Sequence, residues 1–183
     1  LLVELALERE PGRLLDVGTG SGAIALAVAD ELPGCEVTAT DTSAGALEVA
    51  RANAARLGLA ERVRFVPGAL PDAGEFDLVL ANLPYVAERD WPGLQPEVTE
   101  WEPREALLAG PDGLDAYRTL IPACCRLLVR IAHQKTTATA GLAVEVGKGQ
   151  AGAVATLMEE AGFGAVQTRR DLAGIERVVV GER

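Results

Sequence analysis

The chain has 183 residues, 49% of them hydrophobic and 24% charged, and a formal net charge of -10. That length supports one well-cored domain, and the carboxylate excess disfavours wrapping a nucleic-acid backbone, which needs a Lys/Arg surface. No apolar run approaches the roughly 20 residues that span a bilayer, and the opening residues lack a signal peptide's basic start and cleavage site, so a cytoplasmic protein is expected.

Leu1 to Glu10 opens in the middle of an apolar helical pattern and without an initiator Met, so a preceding segment is expected. Four short apolar runs then read as buried strands, each bounded by Gly, Pro or Asp: Arg13 to Val17, Glu36 to Thr40, Arg62 to Val66 and Phe76 to Leu80. Between the first three lie two stretches with Ala and Leu at helical spacing, Ser21 to Leu32 and Ser43 to Leu59, with Gly58 placed to stop the second. This β-α-β-α-β order predicts a parallel sheet with right-handed crossovers.

In the second half, Leu114 to Ala132 reads as a helix with a kink at Pro122, Gly141 to Val146 as a fifth strand and Gln150 to Phe163 as a helix. Ala165 to Arg170 and Glu176 to Gly181 read as two last strands, antiparallel neighbours because no helix fits between them. The expected fold is α/β, a doubly wound, mostly parallel seven-stranded sheet with an antiparallel last strand. One domain is expected over residues 1–183.

Gly18, Gly20 and Gly22 lie at the turn from the first strand into the first crossover helix, where glycine lets the backbone bend and a ligand approach the N–H groups. Asp41, at the tip of the second strand, is placed to accept both hydroxyls of a ribose. The loop alone is ambiguous. Read with Ala23 it is a dinucleotide fingerprint; read as G-x-G-x-G it is the loop of an S-adenosylmethionine binder.

The fourth strand runs into "ANLPYV", Ala81 to Val86. Asn82 carries both an acceptor and a donor, and Pro84 stiffens the backbone beyond it. In a doubly wound sheet this strand end lies beside the first, so Asn82 and the glycine loop share one cleft. The chain offers no His or paired acid there for hydride chemistry, which shifts the reading to methyl transfer.

The other reactive side chains read as structural. Cys35, Cys124 and Cys125 have neither zinc spacing nor His partners, and are expected as reduced thiols. His133, the sole histidine, stands in a Thr- and Lys-rich stretch and reads as a solvated loop residue. Glu102 and Arg104 read equally well as an ion pair ordering a long loop or as part of a substrate rim.

With these motifs in place, the chain resembles the class I methyltransferases that alkylate planar nitrogens and, more narrowly, the protein-(glutamine-N5) methyltransferases that modify the Gly-Gly-Gln loop of peptide-chain release factors. "LDVGTGSGAIALA", "ANLPYV", "EPREALLAGPDGLDAYRTLI", "EVGKGQ" and "DLAGIERVVVG" carry the resemblance. It implies S-adenosyl-L-methionine as cofactor, a release factor as protein partner, and a helical domain upstream of this catalytic one. Cofactor contacts are implied for Asp16 and the loop Gly18, Thr19, Gly20, Ser21 and Gly22, with Asp41, Leu70 and Asn82 completing the set. The resemblance further implies that the Asn82 side-chain oxygen and the Leu83 carbonyl accept the two substrate amide hydrogens, that Pro84 fixes the turn, and that Tyr85 packs on the substrate's flat group. Alternatives within the same chemistry are a glutamine in a ribosomal protein and an adenine of DNA or RNA; an inactive cofactor-binding module is another.

Three features depart from the family pattern. Leu83 stands where the family has Pro, and "RIAHQKTTATAG" replaces the Pro-Gly turn before the fifth strand, reading as a surface loop. The family's acidic reader of the adenine amine has no counterpart at Ala69 or Leu70, where Leu70 offers an apolar contact instead.

Overall fold

The computed structural model describes residues 1–101, 103–128 and 140–183. Seven strands form one sheet: β1 (Arg13–Val17), β2 (Glu36–Asp41), β3 (Val63–Pro67), β4 (Leu78–Ala81), β5 (Gly141–Glu145), β6 (Gly164–Arg170) and β7 (Glu176–Glu182). Their order is β3-β2-β1-β4-β5-β7-β6. The pairs from β3 to β5 are parallel, and β7 runs antiparallel to both of its neighbours. This is the expected mostly parallel sheet with one antiparallel strand, and that strand is the last.

The helices are α1 (Leu2–Arg9), α2 (Ala23–Glu31), α3 (Ala44–Leu57), α4 (Pro96–Trp101), α5 (Asp115–Cys124) and α6 (Ala151–Glu160). Alternation along each strand divides the core in two. In β4, Leu78 and Leu80 face the layer that holds α1, α2 and α3, whereas Val79 and Ala81 face α5 and α6. Burial on both faces explains why this strand is an unbroken apolar run. No helix among the described residues is long and apolar enough to cross a membrane.

Three details differ from the sequence reading. Apolar spacing extended the helix at Leu114 as far as Ala132, yet α5 ends at Cys124, where Leu127 and Leu128 turn back to donate to the Cys124 carbonyl. Pro122 lies inside α5 and lacks the N–H that would bond the Arg118 carbonyl, which weakens the helix's last turns. Phe76 precedes β4 and forms an isolated bridge with Leu128 instead of belonging to the strand. The stretch 88–106 holds α4 and two short 3₁₀ turns, Glu88–Gly93 and Arg104–Ala106, that no periodicity announced. Glu102, His133 and most of the surface loop expected before the fifth strand lie outside the described residues.

Candidate active site

Register sets the site. Val17 of β1 stands opposite Thr40 of β2 and Ala81 of β4, and Ala81 stands opposite Val144 of β5. Gly18, Asp41, Asn82 and Glu145 therefore leave the sheet abreast, on both sides of the point where the strand order reverses. Open α/β sheets bind ligands at such a switch point.

The glycine loop is held from beneath. Asp16 is fully buried; its Oδ2 accepts the Thr19 hydroxyl at 2.6 Å and the Ala25 N–H at 3.2 Å, near the start of α2. Burial pushes the Asp16 carboxyl up to about 7, against the two hydrogen bonds that lower it, with nearby Asp41 adding to the rise. Its Oδ1 is buried with no partner among the described residues. Thr19 is buried too, and its N–H donates to the Thr40 carbonyl at 2.9 Å. These two side chains shape the loop, while Ser21 is exposed.

Gly18, Gly20 and Gly22 all adopt left-handed φ values, 68°, 57° and 85°. At Gly18 a Cβ would stand 2.9 Å from Leu83 Cδ2, close enough that the leucine side chain would have to turn aside, while φ itself is what favours glycine. The residue that replaces the family's proline thus packs directly on the glycine loop. Asp41 completes the other wall: Oδ2 accepts the Gly20 N–H at 2.9 Å and Oδ1 the Ser43 N–H at 2.8 Å. Each oxygen retains a lone pair for a further donor. Beyond it, Gly68 donates to the Asp41 carbonyl and the Thr40 hydroxyl donates to the Ala69 carbonyl, which brings half-buried Leu70 beside the strand ends.

Asn82 is exposed, and neither its side-chain amide nor the Leu83 carbonyl has a hydrogen-bond partner among the described residues. Tyr85 is half-buried and packs on the core cluster of α5 and α6, with burial raising its phenol above the usual range. The segment is tied on two sides. Val86 N–H donates to the Leu107 carbonyl at 2.8 Å and Ala109 N–H to the Val86 carbonyl at 3.0 Å; Gln150 Nε2 donates to the Tyr85 carbonyl at 2.8 Å. Gln150 and Gly113 stand within motifs that carry the resemblance, but a side-chain tether onto distant backbone carbonyls has no spacing signature.

Around the cleft, Arg104 lies over the Trp91 ring at 5.0 Å, within cation–π range. That contact joins the two 3₁₀ turns. Cys35 and Cys124 are free and buried, and burial pushes both thiols up to about 12. Cys125 is free and half-buried. Two cavities of about 450 Å³ and 390 Å³ lie elsewhere, between α5 and α6 and between α2 and α3.

A model of the methyltransferase small domain matches residues 1–94. The release factor glutamine methyltransferase of Rhodospirillum rubrum is 43% identical over 180 residues, covering 97% of this chain and 53% of that protein. Its namesake from Geobacter sulfurreducens is 41% identical over 186 residues, covering 99% of this chain and 62% of that one. The chain therefore spans between about half and three fifths of the length of these curated relatives. A solved protein-(glutamine-N5) methyltransferase (release factor-specific) from Alicyclobacillus acidocaldarius is 32% identical and superposes with a TM-score of 0.56, covering all of this chain and 89% of that one. With its glycine loop, strand-tip carboxylate and Asn-Leu-Pro-Tyr turn abreast, the chain belongs to the methyltransferase small domain family and, within it, to the release factor glutamine methyltransferases.

Proposed function

We propose that this chain transfers a methyl group from S-adenosyl-L-methionine to the side-chain amide nitrogen of the glutamine in the Gly-Gly-Gln loop of a peptide-chain release factor. The observation that carries this reading is the pair of acceptors, the Asn82 side chain and the Leu83 carbonyl, that have no partner among the described residues and stand at a strand end abreast of the glycine loop.

The residues present fit a small cationic cofactor. Nothing stands within 4 Å of where a Cβ on Gly20 would lie, and the Asp41 oxygens, each with a lone pair to spare beside the Gly20 and Ser43 N–H groups, suit a ligand that carries hydroxyl donors and positive charge. Gly18, Gly20 and Gly22 would lie against it, with Asp41 on its ribose hydroxyls and Leu70 on its adenine. When bound, that cofactor supplies an electrophilic methyl group on a sulfonium.

An amide nitrogen is a poor nucleophile because its lone pair is delocalised, so the chain's part is orientation. Asn82 Oδ1 and the Leu83 carbonyl accept one amide hydrogen each and turn the nitrogen toward the methyl. The same dipoles would favour the positive charge that grows on nitrogen as the N–C bond forms at the expense of the methyl's S–C bond, whose electron pair stays with the departing thioether, and the nitrogen would then give up one N–H proton to solvent. Pro84 fixes the backbone beyond the acceptors, and Tyr85 borders the substrate's planar group. This reading puts the protein in the cytoplasm with its substrate.

The test is to incubate the chain with S-adenosylmethionine carrying a labelled methyl and with intact release factor, a Gly-Gly-Gln peptide, ribosomal protein or adenine-containing nucleic acid. Label on the release-factor glutamine, located by mass spectrometry, is expected. Label confined to ribosomal protein or nucleic acid, or none at all, overturns the assignment.

A further inference from the structure

Gln150 is the residue before α6, a helix anchored in the core by Ala151, Val154 and Met158. From this fixed post its side chain reaches three separate segments. Nε2 donates to the Tyr85 carbonyl at 2.8 Å and to the Gly113 carbonyl at 3.4 Å, and Oε1 accepts the Gly147 N–H at 2.9 Å. Two donors and an acceptor in one plane are what a primary amide offers, whereas a carboxylate only accepts and an ammonium only donates.

The surrounding glycines are explained by this side chain. A Cβ on Gly113 would stand 2.7 Å from Gln150 Nε2 and would also collide with the Tyr85 carbonyl oxygen. A Cβ on Gly147 would stand 2.8 Å from Gln150 Oε1 and 3.0 Å from Tyr85 Cδ2. The packing leaves room for the amide and for nothing larger around it. On the opposite side Val86 is tied to Leu107 and Ala109, so the Asn82–Tyr85 turn is clamped at its far end between two loops and the start of α6.

We infer that Gln150 is a positioning residue for methyl transfer, holding the Tyr85 backbone so that the acceptors at Asn82 and Leu83 keep the orientation the substrate amide needs. The inference rests on the methyl-transfer reading above. Gln150 itself touches neither substrate nor cofactor. Its loss therefore acts on turnover, because a displacement of about 1 Å in an orienting group can cost on the order of 100-fold in rate.

The experiment compares the parent chain with Gln150→Met, which removes both donors and the acceptor, and Gln150→Glu, which keeps the shape. Methyl transfer to intact release factor, S-adenosylmethionine affinity by calorimetry and amide exchange of the 82–87 segment are measured on all three. For Gln150→Met, kcat is expected to fall about 10- to 100-fold while cofactor Kd stays within about twofold. Amide exchange around Val86 should quicken.

Gln150→Glu adds a readout that a merely structural role would not move. Protonated, its carboxyl donates one hydrogen bond to the Tyr85 carbonyl and accepts from Gly147; ionised, it repels the two carbonyls it faces. Its kcat relative to the parent should fall as pH rises. The ionisable side chains on the packed segments, Tyr85, Asp112, Asp115, Glu145 and Lys148, are common to both proteins, so the ratio of the two profiles isolates the substituted group. A flat ratio, a parent-like kcat in Gln150→Met, or losses of kcat and cofactor affinity in equal measure each overturn the inference. A parent chain that methylates no release factor overturns the reading of function instead, and unchanged exchange around Val86 then still rejects the tether.

Discussion

The Gly20 N–H donates to Asp41 Oδ2 at 2.9 Å, so the middle of the glycine loop and the tip of β2 form one unit. Because the second oxygen holds the Ser43 N–H, loss of this carboxylate unfastens two walls of the cleft at once. Asp41→Ala is expected to weaken S-adenosylmethionine binding by roughly 1.5 to 3 kcal/mol, the worth of hydrogen bonds to a charged group. Calorimetric titration checks it.

Asn82→Ala separates binding from chemistry. The side chain has no structural partner to lose among the described residues, so the fold should persist and cofactor affinity should stay near the parent value. Methyl transfer should drop by a factor on the order of 100 or more. Single-turnover label incorporation at saturating cofactor checks this, and transfer at the parent rate would show that another group orients the amide.

Gly113→Ala tests the packing beneath the same turn. Gly113 has φ of 78°, a left-handed conformation that costs a residue with a Cβ about 1 to 2 kcal/mol, and the new methyl would press on the Tyr85 carbonyl. The thermal midpoint should fall and transfer should fall with it. Denaturant unfolding alongside the transfer assay reads both.

Asp16 sets a pH dependence of stability. Its carboxyl is pushed up to about 7 in the fold, above its ordinary unfolded value near 3.8. Between those values the folded chain binds more protons than the unfolded one, so this group's contribution to stability falls as pH rises through that window. Asp16→Asn, neutral throughout, should gain on the parent as pH goes from about 5 to about 7.5. Thermal unfolding of both proteins across that range checks the sign; a constant difference would mean that Asp16 stays ionised in the fold.

Strands that announce themselves by composition were legible in the sequence, as at Arg13 to Val17 and Gly141 to Val146, where short, mostly apolar runs are buried along nearly their whole length. The antiparallel relation of β6 and β7 followed from a connection too short for a helix, whereas the insertion of β7 between β5 and β6 is a tertiary choice with no local mark. The wall residues Gly18, Asp41 and Asn82 were legible because each stands at a strand end, a place the β-α alternation fixes. Gln150 was not, since its partners are backbone groups 3, 37 and 65 positions away in sequence. The 3₁₀ turns at Glu88–Gly93 and Arg104–Ala106 are held by Trp91 and Arg104 across a gap in sequence, which no periodicity reports.

The Arg104–Trp91 stack gives the molecule an optical label of its own. The chain has two tryptophans, Trp91 in the first 3₁₀ turn and Trp101 at the end of α4, and both belong to the 88–106 stretch. Intrinsic emission excited at the indole band therefore reports that stretch and not global packing. A guanidinium over an indole face alters its emission, so anything that draws Arg104 away changes the signal without added dye. Melting curves followed by fluorescence will register the loosening of the cleft border, while those followed by far-ultraviolet circular dichroism will register loss of the sheet and helices, and a gap between the two midpoints would measure how independently the border opens.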